Sequence, residues 1–593
     1  MPIPRMLVVA SLCLATCIAT AQNWDTIPLN DFSAFAEKPP NWSIVGAASG
    51  QLGDANLNTD RGIGVVYSRS RNGENFDLIS QFTHGDMDLD LEFMLPEGGE
   101  SGVLLQGQYE IQLKDSWQRE RPTYLDAGAI PPRSAPESQE LVGGKRPRVN
   151  AAKAPGLWQH LSISFRAARF DQYGQKIEHA RLLFVKLNGL IIHENVSLTT
   201  STSGSSTDEL ARGPLVLEGN SSQVAFRNIC VQRYESPPLR WKSLRYESGE
   251  MINSDTYQMP AQIEESGTAE WIDPRVTTKN EKIALRFDGE IDLAVDGLYT
   301  FEVEVWWNAR LTIDGQATET TPSSSNGATQ LELAAGTHRI VLEYYKYDSW
   351  YQSKLALYLS GPGVARQPLH EETALPVSAL PTPHLVDFDR EAQVLRAFTH
   401  YSREAGSSTM LTHTAHVGLP EGLAFTYDLL RAIPVQVWRG EFLDATPMWS
   451  GRGDGSASAL GATTVLDTLP PWMNSETAAI RPRGYKMNEG SIPTFVTQVD
   501  DLILEDRLEA IPNLPGLTRQ MSWSGESDEA PIWRLASGLE IEKIDRFNYL
   551  IDQAYYLRLD DDNEGQAEVV LADERAHLVF TAEGDQIIYQ IIW

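Results

Sequence analysis

Apolar and polar residues alternate with a period of two through most of this 593-residue chain. The clearest examples are residues 87–93, Met-Asp-Leu-Asp-Leu-Glu-Phe, and residues 301–305, Phe-Glu-Val-Glu-Val. Successive side chains of a β-strand point to opposite faces, so this pattern predicts sheets with one buried and one wet face. The best helical candidates are only short patches at 209–212 and 389–398. We therefore predict an all-β protein made of antiparallel β-sandwiches.

Two proline-rich breaks divide the chain into parts of domain size. Ser236-Pro237-Pro238 forms the first break, and residues 376–384 contain three further prolines. Segments of this composition commonly link domains in an extended conformation. We predict three β-sandwich domains separated in this way, the third of unknown role: residues 22–236, residues 240–372, a linker at 373–384, and residues 385–593.

The first 21 residues have the features of a signal peptide. Arg5 precedes a short apolar run, and Ala19-Thr20-Ala21 is typical of a cleavage site. This run is too short to span a bilayer, and no later stretch is apolar enough to do so. We therefore expect a secreted or periplasmic protein that is not integral to the membrane. The alternative is a lipoprotein anchored through Cys17, against which Thr16 argues because it fits poorly before a lipidated cysteine.

The net charge and the cysteine content indicate which classes of partner and cofactor this chain is suited to bind. The formal net charge is -31, which argues against nucleic acid because proteins that bind phosphate backbones carry basic faces. The sequence has no cysteine cluster and no zinc-ligand spacing. It therefore identifies no cofactor and no metal-ligating residues, although it leaves a requirement for a divalent metal open.

The segment 102–113 carries the main candidate site. Read as one extended strand, it places a set of apolar side chains on one face: Val103, Leu105, Tyr109, Ile111 and Leu113. The opposite face carries a row of amides and one carboxylate: Gln106, Gln108, Glu110 and Gln112. Such groups suit a sugar, whose hydroxyls both donate and accept hydrogen bonds. From alternation alone, the wet outer face of a sandwich explains the same pattern.

This region resembles the 3-keto-disaccharide hydrolase domain family. The likeness rests on several runs in the expected order: Glu100-Ser101-Gly102-Val103, residues 109–117, residues 126–130, Asn150, residues 154–160, residues 187–189, residues 193–195, and Ala225-Phe226-Arg227-Asn228-Ile229. It covers most of residues 24–234. The resemblance implies a concanavalin-like jelly roll with a concave sugar-binding face, and a substrate already oxidised to a ketone at carbon 3.

The implied chemistry sets requirements for the site. A ketone at carbon 3 acidifies the hydrogen at carbon 2, so a base can remove it while the group at carbon 1 leaves; water then adds. The site needs a positioned base and a donor for the enolate oxygen. The candidate catalytic residues are Glu110 or Asp115 as the base, with His160 and His193. Further candidates for donors and substrate contacts are Gln106, Gln108, Gln112, Asp126, Arg133, Arg148 and Asn150.

Two details of this region bear on activity. Residues 110–115 also look like a degenerate form of the Glu-x-Asp-x-x-Glu motif of laminarinase-type glycoside hydrolases, with Gln112 and the shorter Asp115 in place of two acids. Retaining hydrolysis needs carboxyl groups about 5–5.5 Å apart. The shorter side chain of Asp115 disfavours that spacing.

After Ile130 this chain has Pro-Pro-Arg-Ser where related sequences often carry aromatics. Loss of sugar-stacking aromatics would weaken binding or abolish catalysis.

Residues 240–372 resemble the protective-antigen-type domain, a β-sandwich of bacterial and fungal surface proteins. The likeness rests on runs at 297–301, 310–315 and 333–340. Lectin members of that family hold calcium through a paired Asp-Asp, but this chain has Trp306-Trp307-Asn308-Ala309 at that place. Calcium-dependent sugar binding is therefore not expected. Trp306 could instead stack on a sugar, or it could pack against the protein.

Two functions remain open. The first is an enzyme that hydrolyses or eliminates 3-keto-glycosides, which a periplasmic sugar oxidoreductase would supply. The second is a non-catalytic carbohydrate-binding or surface-attachment protein. Convergence of Glu110, Asp115 and a histidine or arginine in one cleft would favour the enzyme, whereas a polar row without convergence would favour binding.

Overall fold

The computed structural model describes residues 24–69, 76–134, 141–202, 209–219, 222–236, 238–254, 257–318, 326–350, 352–375, 383–402, 408–450, 453–475, 478–487, 491–527 and 529–593. The predicted signal peptide and Cys17 lie outside these residues. Within them, strands form nearly all of the regular structure, as the alternation predicts. The helices in this part of the chain include one α-helix, α1 at Thr446–Trp449, and two 3-10 helices at Pro274–Val276 and Glu372–Ala374.

The helical patches expected from the sequence do not form helices. Residues 209–212 have no regular structure, and most of 389–398 belongs to a strand that covers Gln393–Tyr401. Within that strand, alternate side chains from Ala397 to Tyr401 are buried. Tertiary packing in a sheet has therefore overridden a weak local preference.

The first segment contains strands β1 to β16. Their bounds are β1 Asp25–Thr26, β2 Trp42–Ser49, β3 Asn58–Ser68, β4 Leu78–His84, β5 Asp86–Met94, β6 Glu100–Leu105, β7 Tyr109–Lys114, β8 Arg133–Ser134, β9 Leu141–Val142, β10 Gln159–Arg166, β11 Arg169–Phe170, β12 Lys176–Glu178, β13 Ala180–Leu187, β14 Leu190–Leu198, β15 Gly213–Leu217 and β16 Val224–Tyr234.

Two antiparallel sheets of this segment pack face to face. The large sheet has the order β14-β13-β10-β5-β16-β3-β2, with β1 also paired to β16, and the small sheet has the order β4-β15-β6-β7. Their inner faces share one apolar core, to which the large sheet contributes Leu89 and Ile163 and the small sheet Val103 and Ile111. Each sheet therefore has one face in the core and one face turned away from it.

The segment predicted as one strand, 102–113, is a hairpin. Strand β6 ends at Leu105, residues 106–108 turn, and β7 begins at Tyr109. Gln106 has a φ of +55° within this turn, in the left-handed region that most residues avoid. The predicted apolar face is nevertheless confirmed, because all five of its side chains are buried: Val103, Leu105, Tyr109, Ile111 and Leu113.

The second segment contains strands β17 to β26. Their bounds are β17 Trp241–Glu250, β18 Glu265–Thr268, β19 Ile283–Leu293, β20 Gly297–Val305, β21 Asn308–Ile313, β22 Gln316–Ala317, β23 Asn326–Leu333, β24 Gly336–Lys346, β25 Leu355–Gly361 and β26 Val364–Pro368. A sheet of order β18-β17-β19-β24-β21-β22 and a sheet of order β23-β20-β25-β26 share one apolar core.

The third segment contains strands β27 to β45. Their bounds are β27 Leu385–Val386, β28 Gln393–Tyr401, β29 Thr409–Gly418, β30 Leu423–Asp428, β31 Ile433–Arg439, β32 Leu443–Asp444, β33 Ser458–Ala459, β34 Ala462–Val465, β35 Ile480–Met487, β36 Pro493–Val499, β37 Leu502–Ala510, β38 Gly516–Ser524, β39 Ile532–Gly538, β40 Ile541–Lys543, β41 Asn548–Ile551, β42 Tyr555–Leu559, β43 Gly565–Ala572, β44 Arg575–Ala582 and β45 Gln586–Ile592. The principal sheets have the orders β28-β29-β30-β31-β34, β35-β36-β37-β38-β45-β42-β41-β40 and β39-β44-β43.

The described chain divides into two compact units. The first unit combines residues 24–232 with residues 383–593, and the second unit contains residues 233–375. Within the first unit, Trp117 and Leu157 of the first segment share an apolar cluster with Ile511 and Tyr556 of the third. The domain boundaries read from the sequence stay predictions, and the all-β architecture is confirmed.

Candidate functional site

The outer face of the small sheet carries a group of acidic side chains. Because Tyr109, Ile111 and Leu113 of β7 point into the core, alternation turns Glu110, Gln112 and Lys114 outward. The register pairs Gln112 with Gly102 and Lys114 with Glu100 on β6. Residue Glu218, directly after β15, donates its backbone N–H to the carbonyl of Gly102. We call Glu100, Glu110 and Glu218, together with Asp77 before β4, the carboxylate face.

Gly102 makes room for two of these carboxylates. A Cβ placed at Gly102 would lie 2.5 Å from Oε2 of Glu218 and 3.3 Å from Oε1 of Glu110. The two oxygens can therefore be no farther apart than the sum of these distances, about 5.8 Å. The absence of a side chain on Gly102 lets both carboxylates lie over the same point of the sheet.

The carboxylate face changes the acidity of Glu110. Burial raises the pKa of Glu110 to about 8, and the negative charge of Glu218 contributes in the same direction. Glu100 and Asp77 add smaller effects of the same sign. Each effect favours the neutral carboxylic acid, because a charged form would lie partly out of water and beside other charges. Glu110 can therefore both hold and release a proton near neutral pH, as an acid–base catalyst must.

Lys114 supplies a positive charge at one end of this face. Its Nζ lies 3.2 Å from Oε2 of Glu100. The side-chain amide of Gln112 donates to Oε1 of Glu100 over 3.3 Å and to the carbonyl of Ser101 over 3.2 Å. Gln112 is 5% exposed, so its amide is largely used in holding the sheet. Lys114, about one third exposed, is the more accessible donor.

Gln106 and Gln108 lie in the turn between β6 and β7, not beside Glu110 and Gln112 as predicted. The side-chain nitrogen of Gln106 donates to the carbonyls of His84 and Ala211. The side chain of Gln108 accepts from the backbone N–H of Leu210 over 2.8 Å. Both are buried, and their amides hold the turn to the chain before β15. These hydrogen bonds stabilise the turn and leave the two amides in a structural role.

Asp115 does not meet Glu110 on the carboxylate face. It follows the last residue of β7, and its carboxylate accepts from the backbone N–H groups of Gly98, over 2.9 Å, and Trp117, over 3.3 Å. These bonds fix the chain where it leaves the small sheet. Of the two candidate bases, only Glu110 therefore lies on the carboxylate face, where its acidic neighbour is Glu218 of a different part of the sheet.

His160 lies on the other sheet. It belongs to β10, whose residues Leu161 and Ile163 are in the core, so it points away from the core on the outer face of the large sheet. Its Nε2 lies 2.8 Å from Oδ1 of Asp90. Burial alone would lower the pKa of His160, but the hydrogen bond and charge of Asp90 outweigh that effect and raise it. The shared core separates His160 from Glu110.

His193 supports the strand that carries Glu110. It is 3% exposed on β14, and its Nε2 lies 2.8 Å from the carbonyl oxygen of Gly128. The backbone of Gly128 in turn donates to the carbonyl of Gln112 over 2.7 Å. Burial lowers the pKa of His193 to about 4, so its ring is neutral at neutral pH. It acts as a positioning residue rather than as a positive charge.

The other predicted contacts are also spread over the first unit. Asp126 is buried and accepts from the backbone N–H of Thr123 over 2.6 Å. The amide of Asn150 donates to the carbonyls of Ser116 and Arg119. The two arginines have polar partners as well: Arg133 donates to Ser201 over 3.5 Å, and Arg148 lies 3.6 Å from Glu441.

Trp306 belongs to the second unit. It follows the last residue of β20 and is half-buried, and its backbone N–H donates to the carbonyl of Lys354 over 3.2 Å. It is therefore a turn residue rather than part of a strand face. The structure thus does not bring Glu110, Asp115 and a histidine or arginine into one cleft.

One cluster of acidic residues in the described part of the chain has ligand atoms close enough together to hold a metal ion. In the described part of the chain, the acidic group with ligand atoms all within 4.8 Å of one another is Asp560, Asp561 and Asp562. These three residues are exposed in the third segment, in the loop that connects β42 to β43, two strands of different sheets. None of the four residues of the carboxylate face belongs to that group.

Among the helices of the described residues, none is long and apolar enough to cross a membrane.

Two parts of the chain match models of known families. Residues 34–232 match the model of the 3-keto-alpha-glucoside-1,2-lyase-like domain, and residues 266–372 match the PA14 domain. Both resemblances expected from the sequence are thereby confirmed, in the expected order. The first match supports a carbohydrate-active protein. Among curated proteins, none matches this chain.

Several solved structures are also similar to parts of the chain. Two are proposed glycosyl hydrolases from Parabacteroides distasonis, each 21% identical with a TM-score of 0.24. They cover 35% and 36% of this chain, and 84% and 100% of their own lengths. A third, an anti-sigma factor domain-containing protein from Clostridium clariflavum, is 14% identical with a TM-score of 0.19, and the match covers 49% of this chain and 99% of that one. These identities and TM-scores carry no argument about function.

Proposed function

We propose that residues 34–232, which match the 3-keto-alpha-glucoside-1,2-lyase-like domain, cleave glycosides that carry a ketone at carbon 3. Glu110 is the base that removes the hydrogen at carbon 2. The observation that carries this proposal is the position of Glu110 beside Glu218 over Gly102, where burial and the charge of Glu218 raise the pKa of Glu110 to about 8. A base of that strength accepts a proton far more readily than an ordinary carboxylate does.

The proposed reaction uses groups of the carboxylate face. Ionised Glu110 takes the proton from carbon 2, and the electron pair of that C–H bond first forms the enolate. The negative charge develops on the ketone oxygen, where Lys114 is the candidate donor. The enolate electrons then form the double bond between carbons 1 and 2 as the bond from carbon 1 to the leaving oxygen breaks. The leaving oxygen takes up the proton that Glu110 removed from carbon 2, which restores ionised Glu110. Addition of water across the double bond completes hydrolysis.

The substrate must come from an oxidation. A ketone at carbon 3 is absent from ordinary glycosides, so a sugar oxidoreductase has to act before this protein. We expect this protein in the periplasm or outside the cell because residues 1–21 have the features of a signal peptide. The oxidised substrate would then have to form in that compartment or be exported to it. This placement is part of the proposal.

The test is release of monosaccharide from a 3-keto disaccharide by the purified full chain. We expect Glu110→Gln to lower kcat/KM by about 10²–10⁴-fold, the usual contribution of a general base. For the unchanged protein, kcat/KM should rise as the pH passes through about 8, because only ionised Glu110 is a base. The exposed residue Glu178 on β12 provides the matched control, Glu178→Gln, which should leave activity unchanged. Full activity in Glu110→Gln would refute the assignment.

A binding protein without catalysis is the second candidate. One observation favours it: Asp115, His160 and His193 each have structural partners and do not lie with Glu110 on the carboxylate face. If the full chain binds a 3-keto disaccharide but releases no monosaccharide at pH 6–9, this function replaces the enzymatic one.

A further inference from the structure

A cleft of about 670 Å³ lies within the first unit, where β7 ends. The first segment lines it with Gly53, Gly98, Asp115 and Arg119, and the third segment lines it with Leu514 and Arg558. Small-molecule sites usually have volumes of about 300–1,000 Å³. The cleft therefore has the size of a binding site, and neither segment forms it alone.

The walls of the cleft are held in place by hydrogen bonds between the two segments. Trp117, which follows Asp115, donates its indole N–H to the carbonyl of Trp593 over 2.7 Å. Arg439 donates to the carbonyl of Trp117. The hydroxyl of Tyr556 donates to the carbonyl of Pro155, which also lines the cleft, over 3.0 Å. A site fixed in this way loses little conformational entropy when it binds a ligand.

The polar groups of the cleft suit a neutral ligand rich in hydroxyls. Glu97 and Asp115 offer carboxylate oxygens, and Arg119 and Arg558 offer guanidinium donors. Arg119 is 67% exposed and lies 3.8 Å from Asp126, so most of its donors remain accessible. Planar acceptors and donors of both charges bind the paired hydroxyls of a sugar ring well, whereas a simple anion or cation would meet repulsion from half of them.

The cleft lies beyond the end of β7, and its lining includes none of the four residues of the carboxylate face. Asp115, which does line it, follows Glu110 by five residues, about 16 Å of extended chain. We infer that the cleft is a separate site that binds the sugar residues of a neutral oligosaccharide. The choice of a carbohydrate as its ligand rests on the proposed function.

The experiment measures binding separately from cleavage. Maltotetraose and cellotetraose, neither of them oxidised, are titrated into the full chain by calorimetry. The variants are the double substitution Arg119→Ala/Arg558→Ala, the catalytic variant Glu110→Gln, and Arg181→Ala as the matched control. Arg181 is an exposed arginine on β13 that donates to Asn195 over 3.0 Å, outside the cleft. Thermal unfolding checks that each variant is folded.

We expect at least one tetrasaccharide to bind, with affinity lowered at least tenfold by the double substitution and unchanged in Glu110→Gln and Arg181→Ala. Absence of binding for both tetrasaccharides, or equal binding by the double variant, overturns the inference. Monosaccharide release from a 3-keto disaccharide is measured in parallel. If release persists while the tetrasaccharides do not bind, the proposed function stands and only the cleft assignment fails.

Discussion

Glu110 is a carboxyl group whose surroundings favour the protonated form. Its ordinary pKa of 4.5 is raised to about 8 by burial and by the charge of Glu218. A group with this environment costs the folded state free energy whenever it must ionise. At this position the cost is tied to the chemistry, because the same environment makes the ionised form a strong base.

This cost makes stability depend on pH in a defined direction. Between about pH 4.5 and pH 8 the folded chain holds a proton on Glu110 that the unfolded chain has released. Rising pH through that window therefore favours unfolding. Glu110→Gln carries no ionisable group at this position. We expect its free energy of unfolding to rise by about 1–3 kcal/mol relative to that of the unchanged protein as the pH goes from 5 to 9.

Urea unfolding of both proteins at pH 5 and pH 9 measures this difference. The control is Glu178→Gln, which removes an exposed carboxyl on β12. Its free energy of unfolding should change between pH 5 and pH 9 by the same amount as that of the unchanged protein. If the gain of Glu110→Gln were the same at both pH values, the carboxyl would not be ionising within this window.

Gly102 sets the spacing of the two acids. A methyl group at this position would lie 2.5 Å from Glu218 and 3.3 Å from Glu110, so Gly102→Ala must displace at least one carboxylate. We expect kcat/KM on a 3-keto disaccharide to fall at least tenfold, because displacement of a catalytic group by about 1 Å can cost 10²-fold. The pH at which the rate is half-maximal should shift as well.

Gly85→Ala is the matched control for this change. A Cβ at Gly85 would lie 3.6 Å from Arg212, which is an ordinary contact, so activity and stability should be close to those of the unchanged protein. Full activity in Gly102→Ala would contradict a catalytic role for the pair of acids.

Sequence reasoning found Glu110 but not the other acids of the carboxylate face. Glu110 lies in an alternating strand, where its face can be read directly. Glu218 comes near it only because β15 pairs with β6 across the sheet, and such non-local pairing is not visible in a single sequence. One signal was available: Gly102 lies within an apolar strand, and a glycine at such a place often marks close approach of another group.

At the level of elements, the hairpin β6–β7 explains one wrong prediction. Its turn contains three residues, so β7 resumes the same odd-numbered inward positions that β6 had used, from Val103 and Leu105 to Tyr109. Polar residues at Gln106 and Gln108 continue the alternation through the turn. The pattern therefore predicts the buried face correctly but cannot distinguish one long strand from two.

The segment that follows β7 depends on the third segment for its conformation. Trp117 is 2% exposed and donates to the carbonyl of Trp593 over 2.7 Å. We expect Trp117→Phe to destabilise the first unit by about 1–3 kcal/mol. Phenylalanine has no indole N–H, so the carbonyl of Trp593 would be buried without its hydrogen-bond donor. The free energy of unfolding from urea titration measures the effect.

Trp449→Phe serves as the comparison. Trp449 lies in α1, is 51% exposed and contacts His384 through its ring, so phenylalanine should preserve most of its contribution. Equal stability of Trp117→Phe and the unchanged protein would show that the hydrogen bond to Trp593 does not hold the two segments together.

At the level of the whole molecule, the second unit is an insertion in the sequence of the first. The chain leaves the first unit after residue 232 and returns to it at residue 383. Proline-rich breaks lie close to both positions, so the sequence predicts where the chain passes from one unit to the other. It cannot predict that residues 24–232 and 383–593 pack together, because their contacts depend on surfaces such as Tyr556 against Pro155.

This arrangement predicts the behaviour of truncated chains. A chain of residues 22–375 lacks the partners of Trp117 and Leu157 in their shared apolar cluster, and exposed apolar surface of this kind promotes aggregation. We expect its first segment to aggregate or to lose cooperative unfolding. Residues 238–375, which keep their own core, should unfold cooperatively alone. Calorimetry and light scattering measure both, and a stable, monomeric 22–375 would contradict the arrangement.

The order of strands in the eight-stranded sheet has a consequence for biogenesis. Strand β45, the last in the chain, lies between β38 and β42. Until it is in place, the sheet exists as two pieces with an open edge on each, and open edges are templates for pairing with other chains. The nascent polypeptide must therefore protect these edges until β45 is synthesised, and a premature stop codon before Gln586 would leave the product vulnerable to chaperone capture and proteolysis.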